Sequence, residues 1–396
     1  MRRVVFLYYC FQFFFSLLIW LPIFYEYQLK VGLTPQEIFQ IQSIYYIAFC
    51  LLEIPTGMFA DSFGYRKCLR LGSLVLVMAN VIVIFSANYF GFLLHFLLIA
   101  LSRSFISGAS SAYLYDYLNT NGCSAEYKGA EGKARAYGLI GKIICWSAVG
   151  VLMQWHLSLP YWLTAVSTLS AFCFSWIMPD IKIVKERSPW LQQLSSAGSI
   201  LATTPWIFFL MFQGIAIFVL GRICQVNLFQ PILNSKSFGI ESYGIVMSVM
   251  TLFEAIGSSY PKWLKKYTGD LNAVFLLTIV MALSLALIAV SQTTGTLICL
   301  CTFSLAMGFA FPIQRQLLND AIHDSSQRAT ILSIESIIDR AVCAWVASLI
   351  GQALGENNLT RFLMVSSIVT CAGMAFLFVC MRIYKRQSLI KINQEV

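Results

Sequence analysis

The chain has 396 residues, 58% of them hydrophobic and only 11% charged, with 27 basic against 18 acidic side chains and a formal charge of +9. A soluble domain carries about 25% charged residues, so this chain cannot cover a water-facing surface of its size, and lipid is its expected solvent. The basic residues sit in short segments between apolar runs, with no basic tail, which argues against a nucleic-acid partner.

A bilayer core of about 30 Å takes about 20 apolar residues in a helix. Taken in chain order, such runs are expected at about 4–27, 36–60, 68–87, 90–117, 134–155 and 158–178, then 205–232, 241–261, 271–290, 294–318, 329–352 and 360–382. The expected fold class is therefore an all-α membrane protein with 12 transmembrane helices. The opening Met1-Arg2-Arg3 and its apolar run exceed a signal peptide in length and precede no small-x-small cleavage site, so they read as a retained first span.

Lysine and arginine orient these spans. With the N-terminus inside, 19 of the 27 bases fall in inside connections, Lys30, Lys236 and Arg361 fall outside, and the remaining five lie within spans. This bias predicts that both termini are cytoplasmic. The longest connection, 179–204, divides the chain into two six-helix bundles, 1–178 and 205–396. Weak internal matches support a repeat: Phe11-Gln12 with Phe212-Gln213, Gly57 with Gly257, and Arg135 with Arg328. Repeated bundles of this kind place a solute site at the midplane between them.

The connection after the second run reads Gly57-Met58-Phe59-Ala60-Asp61-Ser62-Phe63-Gly64-Tyr65-Arg66-Lys67. Physically, Gly57 allows close helix approach, Gly64 a tight turn, Asp61 a negative charge at a helix N-terminus, and Arg66 and Lys67 supply inside charge. The segment resembles the signature between helices two and three of the major facilitator superfamily. That resemblance implies the superfamily fold, two pseudo-symmetric six-helix bundles, and a loop that latches the cytoplasmic side. Tyr65 stands where the family usually has arginine, so Arg66 is the candidate partner of Asp116 at the end of span four. Leu51–Gly57 and Arg328–Ser333 resemble a multidrug-efflux-like or an uncharacterised branch of the superfamily, whereas the Gly-Pro signature of typical antiporters is absent from span five.

Ionisable residues inside spans are costly and usually face a cavity. The bases are Arg103, Lys142, Arg222, Arg315 and Arg340; the acids are Glu53, Asp116, Glu254, Glu335 and Asp339. Arg315 and Asp116 lie near helix ends, where snorkelling or a latch is the plainer reading. Gln12, Tyr45, Arg103, Lys142, Arg222, Gln225 and Arg340 are the candidate solute-binding residues. Glu335 and Asp339 are four apart and share a helix face. With Glu53 and Glu254 they are the proton-coupling candidates, the plain alternative being neutralisation by Arg340 or Lys142.

No phosphate-binding loop, nucleophile–base pair or metal cluster is found, and none of the twelve cysteines lies in an outside connection. The chain is thus expected to be neither an enzyme nor an ATP-driven pump, and to hold no metal or cofactor. The expected function is secondary transport by alternating access: proton-coupled export of a small organic compound, with deep bases favouring an anion such as a polycarboxylate or carboxylate siderophore. Efflux of cationic or neutral drugs, metabolite import and a non-transporting receptor are the rivals. A monomer in a bacterial inner membrane is the expected setting, with solute, protons and lipid as partners.

Overall fold

The computed structural model describes residues 2–180, 204–260, 263, 267–322 and 325–395, and within them all side chains except those of 61, 325–330 and 385–395. Arg328 and Asp61 therefore carry no side-chain account. The described residues contain helices and no strands. Eight helices precede the central connection: α1 (Arg2–Ser16), α2 (Phe24–Lys30), α3 (Pro35–Phe63), α4 (Tyr65–Phe85), α5 (Tyr89–Thr120), α6 (Tyr127–Ser147), α7 (Val149–Trp155) and α8 (Leu159–Ile177). Seven follow it: α9 (Pro205–Arg222), α10 (Phe229–Ser235), α11 (Ile240–Ser259), α12 (Asp270–Val290), α13 (Thr293–Ala321), α14 (Ser325–Gly355) and α15 (Leu359–Glu395).

Among the described residues, ten stretches are long and apolar enough to cross a membrane, and α6 with α7, bent by 44°, makes an eleventh if the pair is one span. The remaining predicted span is the 19-residue α8, whose Thr164, Ser167, Thr168, Ser170 and Ser175 dilute its hydropathy. Local chemistry sets several ends. Thr34 and Glu37 form a reciprocal capping box at the start of α3, with Pro35 in the first turn. Asn88 accepts from the Gly91 amide at the start of α5.

Two expected continuous spans are broken. The first stops at Ser16 and resumes at Leu21–Ile23 and α2. Side chains take up the backbone groups freed there: the Ile19 amide donates to Thr164 Oγ1 at 3.0 Å, and Trp146 Nε1 donates to the Leu18 carbonyl at 2.8 Å. Such breaks are tolerated in lipid only where protein satisfies the backbone. Between α9 and α10 the chain widens into a π-helix, Ile223–Leu228.

The described residues fall into two compact units. The first holds 2–180 with Val226–Val249 and Cys343–Glu356. Its core stacks Trp20 on Tyr161 at 5.5 Å, and Trp20 Nε1 donates to Asn80 Oδ1 at 2.7 Å. At the end of this unit opposite Arg2, several segments meet closely. A Cβ on Gly244 would collide with the Trp146 carbonyl, one on Gly150 with the Ile240 carbonyl, and one on Gly355 with Gln36. Gln230 accepts the Tyr25 amide at 2.8 Å, and Tyr46 donates to Asn227 at 2.7 Å. Glycine at these crossings lets backbones touch, which is how membrane helices pack without a hydrophobic driving force. The second unit holds 204–225, Met250–Val342 and 357–395. There Gln213 donates to Thr278 at 2.8 Å, and α11 crosses α13 at Gly257 and Gly308.

Candidate functional site

The first unit holds a half-open cavity of about 300 Å³ between α1, α5 and α6. Its lining is Gln12 and Ser16 from α1; Ser107, Ser110 and Ser111 from α5; and Glu131, Ala134, Arg135, Gly138, Leu139 and Lys142 from α6. Residues 131, 135, 138 and 142 recur at helical spacing, so one face of α6 carries all three charges over roughly 16 Å. Gly138 and Gly141 bring α6 against α1: a Cβ at either would meet Ser16 or Phe13.

A buried hydroxyl organises the lining. Tyr8, fully buried, donates to Glu131 Oε2 at 2.8 Å and accepts from Gln12 Nε2 at 2.8 Å. Lys142 lies with Nζ 5.8 Å from the Trp146 ring centre. Arg103 is exposed on α5, four residues before Ser107 and so on the same face, and makes no hydrogen bond or ion pair among the described residues. Of the expected binding residues, then, the structure brings Gln12 and Lys142 together, with Arg103 one turn away. Tyr45 instead packs in an aromatic group with Tyr46, Phe49 and Phe96. Ser16, the α5 serines, Glu131 and Arg135 escaped the sequence reading as site residues. The polar stripe on α6 was the available signal: Glu131 lies before the expected span start at 134, and Arg135, at that start, read as inside charge.

The second unit holds Arg222, Glu254, Arg315, Glu335, Asp339 and Arg340. Arg315 Nη1 donates to Glu335 Oε2 at 2.6 Å, with its guanidinium 4.6 Å from the Phe218 ring centre. Arg222 faces Asp339 at 3.6 Å. Glu335 thus meets Arg315 and Asp339 meets Arg222, and the neighbouring Arg340 donates to Ser336 Oγ at 2.6 Å. Arg315 is thus a counter-ion within the bundle, because α13 runs on to Ala321 and leaves it short of the helix end. Gly214 makes room for the Glu335 carboxylate, which a Cβ there would strike. Gln225 Nε2 donates to Glu254 Oε2 at 2.8 Å. Glu53 is half-buried on α3.

The loop motif also departs from expectation. A Cβ at Gly57 would meet nothing within 4 Å, so close approach does not require glycine there; it is the matching Gly257 whose Cβ would meet the Leu305 carbonyl. Arg66 Nη2 donates to the Trp176 carbonyl at 2.8 Å, so it caps the C-terminus of α8 rather than meeting the half-buried Asp116. Arg70 lies over the Trp176 ring at 3.8 Å, and Lys67 is exposed beside Phe63. Gly64 does make the tight turn, with φ +90° between α3 and α4. Gly64→Ala is expected to cost about 1–2 kcal/mol, read as a lower unfolding temperature in detergent; an unchanged temperature would show that the turn relaxes at no cost.

Among the described residues no group of His, Cys, Asp or Glu is placed to hold a metal. No curated protein sequence matches the chain. Solved structures with the same fold include the nucleoside transporter NupG, at 14% identity and a TM-score of 0.72, covering 95% of this chain and 99% of that one. A peptide transporter POT in complex with sulfate matches at 14% identity and a TM-score of 0.77, covering 96% and 94%. A POT family transporter in complex with 5-aminolevulinic acid matches at 13% and 0.72, covering 95% of each. At these identities the likeness shows the fold. The model of the Major Facilitator Superfamily matches residues 4–334, most of the chain. With its apolar helices, this match makes the protein an integral membrane transporter that belongs to the Major Facilitator Superfamily.

Proposed function

We propose that the protein moves a small organic anion by alternating access, coupled to protons. The observation that carries this reading is the charge of the α6 cavity: Arg135 and Lys142 against the single acid Glu131, whose Oε2 is already bonded to Tyr8. Arg103 adds positive charge on the neighbouring α5 face. A charged residue is costly in lipid and persists where a cavity or a ligand compensates it. The second unit supplies the coupling candidates. Glu335 and Asp339 are held by Arg315 and Arg222, and a proton on either acid would loosen its pair. Nucleosides and peptides, the cargo named for two proteins of the same fold, are in keeping with a small organic solute. The lysine and arginine bias supports a cytoplasmic membrane with both termini inside.

Flux into proteoliposomes under an imposed pH gradient tests the reading, with carboxylates and cationic dyes compared. Carboxylate movement is expected, falling at least about tenfold in Arg135→Gln and in Lys142→Gln, since hydrogen bonds to charged groups contribute about 1.5–3 kcal/mol each. Wild-type rates in both variants, or movement of dyes alone, would refute the anion site.

A further inference from the structure

Unlike charges share the α6 face of the cavity without meeting. Glu131 stands one turn before Arg135, about 6 Å along the helix axis, and Lys142 follows about 10 Å farther on. Glutamate four residues before a base is the favourable order for a helical ion pair. Yet neither Glu131 nor Arg135 makes an ion pair among the described residues. The reason lies on α1. Gln12 Nε2 can only donate, and it donates to the hydroxyl of the fully buried Tyr8 at 2.8 Å. The one hydrogen of that hydroxyl then goes to Glu131 Oε2 at 2.8 Å. A carboxylate offers about four lone-pair sites, so Tyr8 fixes Glu131 and leaves it able to accept more. Charges kept apart in a membrane-embedded cavity are costly, and a solute that meets both offsets that cost.

Along α6 the row reads minus, plus, plus, and its complement is plus, minus, minus. An ammonium suits Glu131, and a carboxylate beside that ammonium suits Arg135. A second carboxylate suits Lys142, whose ammonium carries three hydrogens. Other solutes match the row less well. A plain dicarboxylate sets a like charge near Glu131 and brings it no donor. A neutral amino acid brings nothing negative to Lys142, and a simple cation meets two bases. Among the described residues no aromatic side chain lines the cavity, so a planar ring finds no surface to stack on. At about 300 Å³ the space lies at the small end of ligand pockets.

Resting on the anion reading above, we infer that the solute is an aliphatic aminodicarboxylate, an amino acid of net negative charge, whose ammonium meets Glu131 while its carboxylates meet Arg135 and Lys142. Glutamate and glutarate differ in the ammonium alone, as do aspartate and succinate; glutamine lacks only the second carboxylate. The purified full-length protein is titrated in detergent with these five compounds, following its unfolding temperature, which rises with any ligand that binds the folded state. Glutamate should bind about tenfold tighter than glutarate, and aspartate than succinate, the worth of a hydrogen bond to a charged group. Glutamate should exceed glutamine by a similar factor. Glu131→Gln should weaken glutamate about tenfold and strengthen glutarate about threefold, the relief of one like charge about 6 Å away in water. A purely structural role for Glu131 would weaken both. Lys142→Gln should close the gap between glutamate and glutamine.

Glutarate and succinate binding as tightly as their amino partners would overturn the aminodicarboxylate inference and leave the anion reading standing. So would a Glu131→Gln variant that loses glutamate and glutarate alike. Glutamine binding above glutamate would overturn the inference in favour of a neutral amino acid. Absence of binding by all five compounds to protein that elutes as a single species would overturn both.

Discussion

Replacing Arg315 with methionine is expected to destabilise the protein by about 3–5 kcal/mol, the cost of leaving a buried charge without its partner. Glu335 is 1% exposed and takes its 2.6 Å hydrogen bond from Arg315. The methionine would preserve most of the packing against Phe218 and Phe311 while removing the charge. The double variant Arg315→Met/Glu335→Gln should recover most of the loss, because no unpaired charge then remains. Thermal unfolding in detergent of the parent, both single variants and the double variant measures the coupling. A single variant as stable as its parent would mean that water or another group already serves Glu335. The Arg222–Asp339 pair is longer, at 3.6 Å, and Arg222 is 30% exposed, so a smaller loss is expected there.

Gly244→Leu is expected to reduce transport at least about tenfold while leaving a folded protein. In the first unit the Gly244 Cα lies against the Trp146 carbonyl, and Gly150 lies against Ile240 and Glu241, so a side chain at 244 has no space. These crossings close the end of the unit opposite Arg2. Alternating access needs that closure in one of its states, and interfaces of this kind are bistable rather than continuously deformable. The variant should therefore populate arrangements in which 244 and 146 are apart. Flux measurement gives the first readout. Cross-linking gives the second: Gln154 and Glu241 side chains meet at 3.1 Å, so a Gln154→Cys/Glu241→Cys pair should link in the parent and fail to link once Gly244→Leu is added. Normal flux together with normal linking would show that α7 and α11 adapt to the larger side chain.

The spans were legible in the sequence because a lipid solvent imposes one strong demand, about 20 apolar residues with every backbone group satisfied internally. Helix starts near Pro35, Tyr65, Tyr89, Pro205, Ile240 and Asp270 follow from that demand together with turn residues and caps. The breaks were not legible. Leu17–Trp20 is as apolar as its surroundings, and what permits it to leave the helix is Thr164 and Trp146, more than 120 residues away in sequence. The partners of the deep charges were equally hidden. Glu335 and Asp339 could be assigned to one face by their spacing, but choosing among Lys142, Arg222, Arg315 and Arg340 needs the arrangement of α9, α13 and α14. The motif glycines divide in the same way. Gly64 declares itself, since a turn between two helices needs positive φ. Gly57 and Gly257 look alike in sequence, and only the packing shows that Gly257 alone touches a neighbouring backbone.

Composition and periodicity by themselves determined that this is an integral membrane protein of many helices, and with the loop motif they pointed to its superfamily. These properties are sums over residues or local patterns, and each residue contributes wherever its neighbours lie. The cavity of α1, α5 and α6, the Tyr8–Glu131 hydrogen bond across 123 residues and the Arg315–Glu335 pair were decided by tertiary structure alone. Whether a polar side chain in a span faces lipid, a partner or a solute depends on which helix stands opposite, and in a membrane that choice is made by close packing of small residues rather than by hydrophobicity.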